Sequence, residues 1–145
     1  MIETLLNKPF WVIDILPEQV PEDGAGRYFA VEDYYLQASR LADIHGCFAN
    51  LLLKLNCYYD FQVSLSGTDE PVSNPLPDLL VSWIQAEQKD LSIILPGEDA
   101  LITLFHDDTC MTVYHPSETL LKRIGRLAAA EGLFLWQPKQ EFHRE

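Results

Sequence analysis

One stretch limits the fold more than any other. Over residues 32–56, Leu41, Ile44, Phe48, Leu51, Leu52 and Leu55 recur at three- and four-residue steps. That spacing gathers them on one face of a helix. Gln37, Arg40, Asp43, Asn50 and Lys54 fall mostly elsewhere. Glu32 and Asp33 open the stretch, where the positive end of the helix dipole favours acids. A helix this long crosses a whole core and needs a broad apolar surface beneath it. Gly46 lies inside, at a cost of about 1 kcal/mol relative to alanine, and points to close approach of another backbone.

Short strands on either side supply that surface. Residues 10–16 are aromatic and β-branched and end at Pro17, which reads as a buried strand. A loop rich in Pro, Gly and acids follows to Gly26. Residues 27–31 fit either a short strand or the helix start. Residues 59–65 alternate apolar and polar, the period of a half-buried strand. Residues 66–77 carry Gly67, Pro71, Pro75 and Pro77 and read as a long mobile loop. Leu79, Leu80, Trp83 and Ile84 then mark a short helix to residue 87. Residues 91–95, 100–105 and 110–114 are strands joined by turns short enough for antiparallel hairpins. Ser117 caps a helix running to residue 131, Gly132 stops it, and residues 133–136 return as a strand before a polar tail at 138–145.

Strands here neither alternate strictly with helices nor exclude them. The expectation is an α+β fold in a single domain, residues 1–145. Its mixed or mostly antiparallel sheet has about five to six strands, with one long and two shorter helices packed on it. The long helix and the 117–131 helix are expected to cover one face.

Charge removes several functions. The 145 residues include 22 acids and 10 bases, a net charge of −12. Nucleic acid binds through Lys and Arg that displace counterions from phosphates, and ten spread along an acidic chain are few for that task. Anionic lipid surfaces are disfavoured for the same reason. No apolar run approaches the ~18 residues that span a bilayer. Residues 1–9 lack the basic start and apolar core of a signal peptide, so a soluble protein of the cytoplasm is expected. Cys47, Cys57 and Cys110 form no CxxC or zinc-ribbon spacing and read as reduced thiols.

No catalytic motif appears. GxxxxGK[ST], GxSxG and HExxH are all absent, and Gly24-Ala25-Gly26 is too short a match to a dinucleotide fingerprint. No metal site or cofactor is expected. Three polar residues remain as catalytic candidates. Asp14 is an acid inside an apolar strand; such an acid either marks a site or sits in water at a sheet edge. Alternation would put Trp11, Ile13 and Ile15 on one face and Phe10, Val12, Asp14 and Leu16 on the other. His45 lies at the edge of the long helix's apolar face, either as a core histidine with a hydrogen-bond partner or as a group pointing into a pocket. His106 precedes Asp107 and Asp108 at a turn, and an extended strand keeps His115 away from it. Tyr34, Tyr35, Tyr58 and Tyr59, with Tyr28 nearby, cluster around both ends of the long helix; such rings either cap the core or anchor an interface.

The leading expectation is therefore a non-catalytic protein-binding module with a basic protein partner. Immunity proteins and antitoxins share this size and charge as a class only. The alternatives are an enzyme or small-ligand domain with a pocket near Asp14 and His45, and a self-associating structural protein.

Overall fold

The computed structural model describes residues 2–67 and 70–139. Residues 140–145 of the expected polar tail and residues 68–69 of the expected loop lie outside them. Within the described residues the fold is α+β, built on one antiparallel sheet of seven strands. In chain order the strands are β1 (Phe10–Asp14), β2 (Gln62–Leu65), β3 (Val72–Ser73), β4 (Leu91–Leu95), β5 (Ala100–Leu104), β6 (Cys110–Tyr114) and β7 (Phe134–Trp136). They lie in the order β3-β2-β4-β5-β6-β1-β7.

Register follows from which side chains can be dry. Val63 faces Ile93, Ile93 faces Ile102, and Ile102 faces Val113; Ile13 pairs with Met111 and with Leu135. These alternate positions form the apolar face of the sheet, as period-2 geometry requires. The helices α3 (Ala38–Asn56) and α5 (Glu118–Ala130) contribute to the same core. Phe48, Leu51, Leu52 and Leu55 are fully buried there, with Leu120 and Ile124. Each fully buried side chain of this size contributes about 1.5–3 kcal/mol. Ser117 caps α5 by accepting from Leu120 N at 3.1 Å, and Gly132 takes φ 78° beyond its end. Both are where the sequence places them.

The sequence expectation of five to six strands and three helices needs correction. The additional strand is β3, inside the expected 66–77 loop. Asn74 anchors it: its side-chain oxygen accepts from Phe61 N at 2.8 Å, and its own N–H donates to Phe61 O at 2.9 Å. Two residues between prolines carry too little periodicity to be read as a strand. A short helix α1 (Ile2–Leu5) is also new, with Leu5 buried. It touches β5, whose residues are buried on both faces, Leu101 and Thr103 included.

The expected 32–56 helix is two helices. α2 (Ala25–Tyr35) ends at Leu36, and Gln37 turns extended (φ −63°, ψ 140°) before α3 begins. No glycine or proline marks the break. What changes is the inward face: Tyr28, Glu32 and Tyr35 are the half-buried positions of α2, and their i, i+4, i+7 stripe does not continue into that of α3. Residues 27–31 are helix, not strand. Gly46 meets no backbone; a methyl group there would meet only Gln85 Nε2, at 3.1 Å. The expected 77–87 helix is α4 (Pro77–Val81) running into a π-helical turn at Ser82–Ala86. That turn buries Trp83 and Ile84 and brings Gln85 against α3, where it donates to Ala42 O at 3.2 Å.

Candidate functional site

Asp14 closes β1, an interior strand flanked by β6 and β7, so it does not lie at a sheet edge. Cys110 and Phe134 are its register partners. Its carboxylate turns back on the chain and accepts from Ile15 N at 2.7 Å. Burial raises its pKa, the backbone N–H groups of Ile15 and Leu16 oppose the rise, and Glu32 adds to it. The indole N–H of Trp136 sits two positions along the paired strand, close enough to favour the charged carboxylate. It is buried without closing a hydrogen bond of ordinary geometry.

α2 completes this group. Tyr28 donates to Glu32 Oε2 at 3.1 Å. Burial, then the Glu32 charge, pushes the Tyr28 hydroxyl upward. Burial likewise holds the Cys110 thiol at about 12, with Asp14 as the next cause. A thiol this basic is neutral at physiological pH and is not a nucleophile. Asp14, Tyr28 and Cys110 thus keep their protons more tightly than usual.

His45 and His106 meet elsewhere. His45 is 4% exposed, tilts against Phe48, and its Nε2–H donates to Asp108 O at 2.7 Å. Burial lowers its pKa. His106 is held by Asp90, whose Oδ1 accepts from both its backbone N–H and its ring Nδ1–H, each at 2.8 Å. The two histidines line one cleft with Leu41, Ile84 and Gln85; its volume is about 40 Å³ and Asp14 does not line it. That is room for ordered water, not for a substrate. His115 is held apart, on Asp99 O at 2.9 Å. Among the described residues no three His, Cys, Asp or Glu side chains are placed to hold a metal ion, and no helix is long and apolar enough to cross a membrane.

The four candidate tyrosines form two separate pairs, at opposite ends of α3 and ~27 Å apart along it. Tyr34 and Tyr35 meet edge to face at 5.3 Å, with the Arg40 guanidinium 3.9 Å above Tyr34. Tyr58 and Tyr59 share Arg123, at 4.4 and 5.5 Å from their ring centres. Tyr34 and Tyr58 are exposed, while Tyr35 and Tyr59 are half-buried.

The sequence reading passed over the rest of α2. From Gly26 to Tyr35 none of its residues is buried, and Phe29, Val31 and Tyr34 are 58%, 46% and 47% exposed. Beside it, Leu16, Val20, Pro21, Tyr28 and Val31 wall an apolar groove of about 200 Å³ with Arg27 at its rim. A separate exposed patch, Leu76 and Leu79, opens on α4. The signal for α2 was in the sequence: one stripe of the helix is accounted for by packing, and the aromatic residues off that stripe, Phe29 and Tyr34, meet only local neighbours and stay exposed.

The class defined by this fold and surface is an α+β protein with a seven-stranded antiparallel sheet and an outlying, aromatic-bearing helix. Comparison with known protein families, curated proteins and solved structures gave no match for the chain.

Proposed function

We propose that this is a non-catalytic protein-binding module whose contact surface is α2 and the groove beside it. The observation that carries the reading is the exposure of Phe29, Val31 and Tyr34 on a helix with no buried residue from Gly26 onward. Large apolar side chains grouped on one element are typical of interaction sites. The partner's chemistry follows from the surroundings: Glu18, Glu22, Asp23, Glu32 and Asp33 frame the helix, against Arg27 and the Arg40 that covers Tyr34. A basic protein surface with an aliphatic or aromatic anchor complements it. The cytoplasm, which keeps thiols reduced, suits the three free cysteines.

The test compares the protein with a Phe29→Ala/Tyr34→Ala variant in affinity capture. The expected result is a basic partner held in stoichiometric amount at low ionic strength, released at about 0.5 M salt, and not held by the variant. Capture that ignores both salt and variant, or no stoichiometric partner at low salt, overturns the reading.

An enzyme has less support, because Asp14 and the His45–His106 cleft are separate and the cleft is small. Self-association is favoured by one observation: Leu76 is 75% exposed beside Leu79. Light scattering on dilution tests it, and a monomer at high concentration counts against it.

A further inference from the structure

Basic residues are scarce in this chain, yet three of the ten, Lys122, Arg123 and Arg126, stand in a single helix, α5. Arg123 and Arg126 are three residues apart, so their side chains are neighbours on the helix surface, where like charges repel. Both line a recess of about 260 Å³ completed by Tyr58 and Leu127. Among the described residues no carboxylate lines it. Glu131 near the end of α5 is committed elsewhere, bonded to Lys54 at 2.7 Å and Asn50 at 3.1 Å.

The first guanidinium is already ordered. It stacks over Tyr58 and donates from Nη1 to Tyr59 Oη at 2.9 Å. That bond uses one of its five N–H donors. Arg126 is exposed and makes no hydrogen bond or ion pair among the described residues. Two adjacent cations without a counter-ion among the described residues, in a chain with more than twice as many acids as bases, leave a hollow suited to one anion. Tyr58 carries Arg123 over one side of its ring but is still 60% exposed, which leaves aromatic surface open, and Leu127 adds an apolar wall.

We propose that this recess binds the phosphate of a small ring-bearing phosphate monoester. The two guanidiniums hold the dianion, a geometry that arginine matches with paired N–H donors. The ring of the ligand lies on Tyr58. The recess is smaller than a typical drug-sized pocket, which limits the ligand to about one ring and its phosphate. This goes beyond the protein-binding reading and uses none of its residues.

Phenyl phosphate, inorganic phosphate and benzoate are titrated into the full chain, followed by amide NMR shifts. The expected result is saturable shifts at Tyr58, Arg126 and Leu127, with phenyl phosphate binding about tenfold more tightly than benzoate, since the monoanion engages one guanidinium. Arg126→Gln, at an exposed position that leaves the fold intact by circular dichroism, weakens phenyl phosphate by about tenfold. Tyr58→Ala weakens phenyl phosphate but not inorganic phosphate. The proposal is overturned by an absence of saturable shifts at these residues up to about 10 mM, by equal binding of benzoate, or by unchanged binding in Arg126→Gln.

Discussion

His45 and His106 share a cleft and titrate in opposite directions. His45 is buried neutral, so its folded-state pKa lies below its unfolded value. Its contribution to stability is present above about pH 6.5 and is lost as pH falls toward the folded value. His106 gains Asp90 as a hydrogen-bond partner and its pKa rises. That contribution is present below the unfolded pKa and is lost as pH rises through the folded one. Asp90 is lowered by the His106 backbone N–H first and its ring second, so its own contribution disappears only as pH falls below the usual aspartate range. The pair therefore stabilises most between about pH 4 and 6.5. Its side chains are 46% and 35% exposed, and exposed pairs contribute only ~0.2–1 kcal/mol. NMR titration of the imidazole protons will show His106 titrating above 6.5 and His45 below it. Asp90→Asn will bring His106 down toward its ordinary value and leave His45 where it is. An unmoved His106 would show that the side-chain bond to Asp90 does not form in solution.

The helices differ in how firmly they are held. α3 puts seven buried residues against the sheet, whereas α2 rests on a half-buried stripe, Tyr28, Glu32 and Tyr35. Local opening follows burial, so amide exchange of α2 will outpace that of α3 by orders of magnitude in a native-state hydrogen-exchange measurement. Equal protection would mean that α2 is part of the main folding unit. Within α3, Gly46→Ala will raise stability by about 0.5–1 kcal/mol in urea denaturation, the gain in helix propensity. The new methyl group meets only the end of the flexible Gln85 side chain, which can move aside; a destabilised variant would show instead that Gln85 is fixed by its bond to Ala42. These elements also show what the sequence reveals. β4, β5, β6 and α5 were readable because their patterns are local: period two for Ile93 and Leu95, a capping serine, a terminal glycine. The break at Gln37 and the strand at Val72 were not, because each depends on a partner distant in sequence or on a change of face. Asp14 was recognised as an unusual acid, but its neighbours Tyr28, Glu32, Cys110 and Trp136 come from three other elements that only folding gathers. The Arg123–Tyr58 recess was hidden for the same reason.

A net charge of −12 on 145 residues acts on the molecule as a whole. Glu18, Glu70, Asp99 and Asp107 lie exposed in loops and turns, and Glu22 and Asp23 in a short 3-10 helix, where like charges repel across the surface and weaken the compact state. Salt screens that repulsion. Raising ionic strength from about 0.02 to 0.5 M will therefore raise the melting temperature by about 3 °C, while the same change releases a basic partner. A melting temperature that falls with salt would indicate that attractive pairs such as Lys54–Glu131 outweigh the repulsion. The order of the strands carries a different consequence, one about synthesis. β1 is made first but is hydrogen-bonded between β6 and β7, the last two strands made. On a ribosome adding 5–20 residues per second, Phe10–Asp14 waits about 5–20 s for its neighbours to emerge. Through that interval the nascent chain displays a bare Phe-Trp-Val-Ile run, a ready site for a chaperone or for a neighbouring chain on the same message. A circular permutant in which β1 follows β7 would shorten the wait.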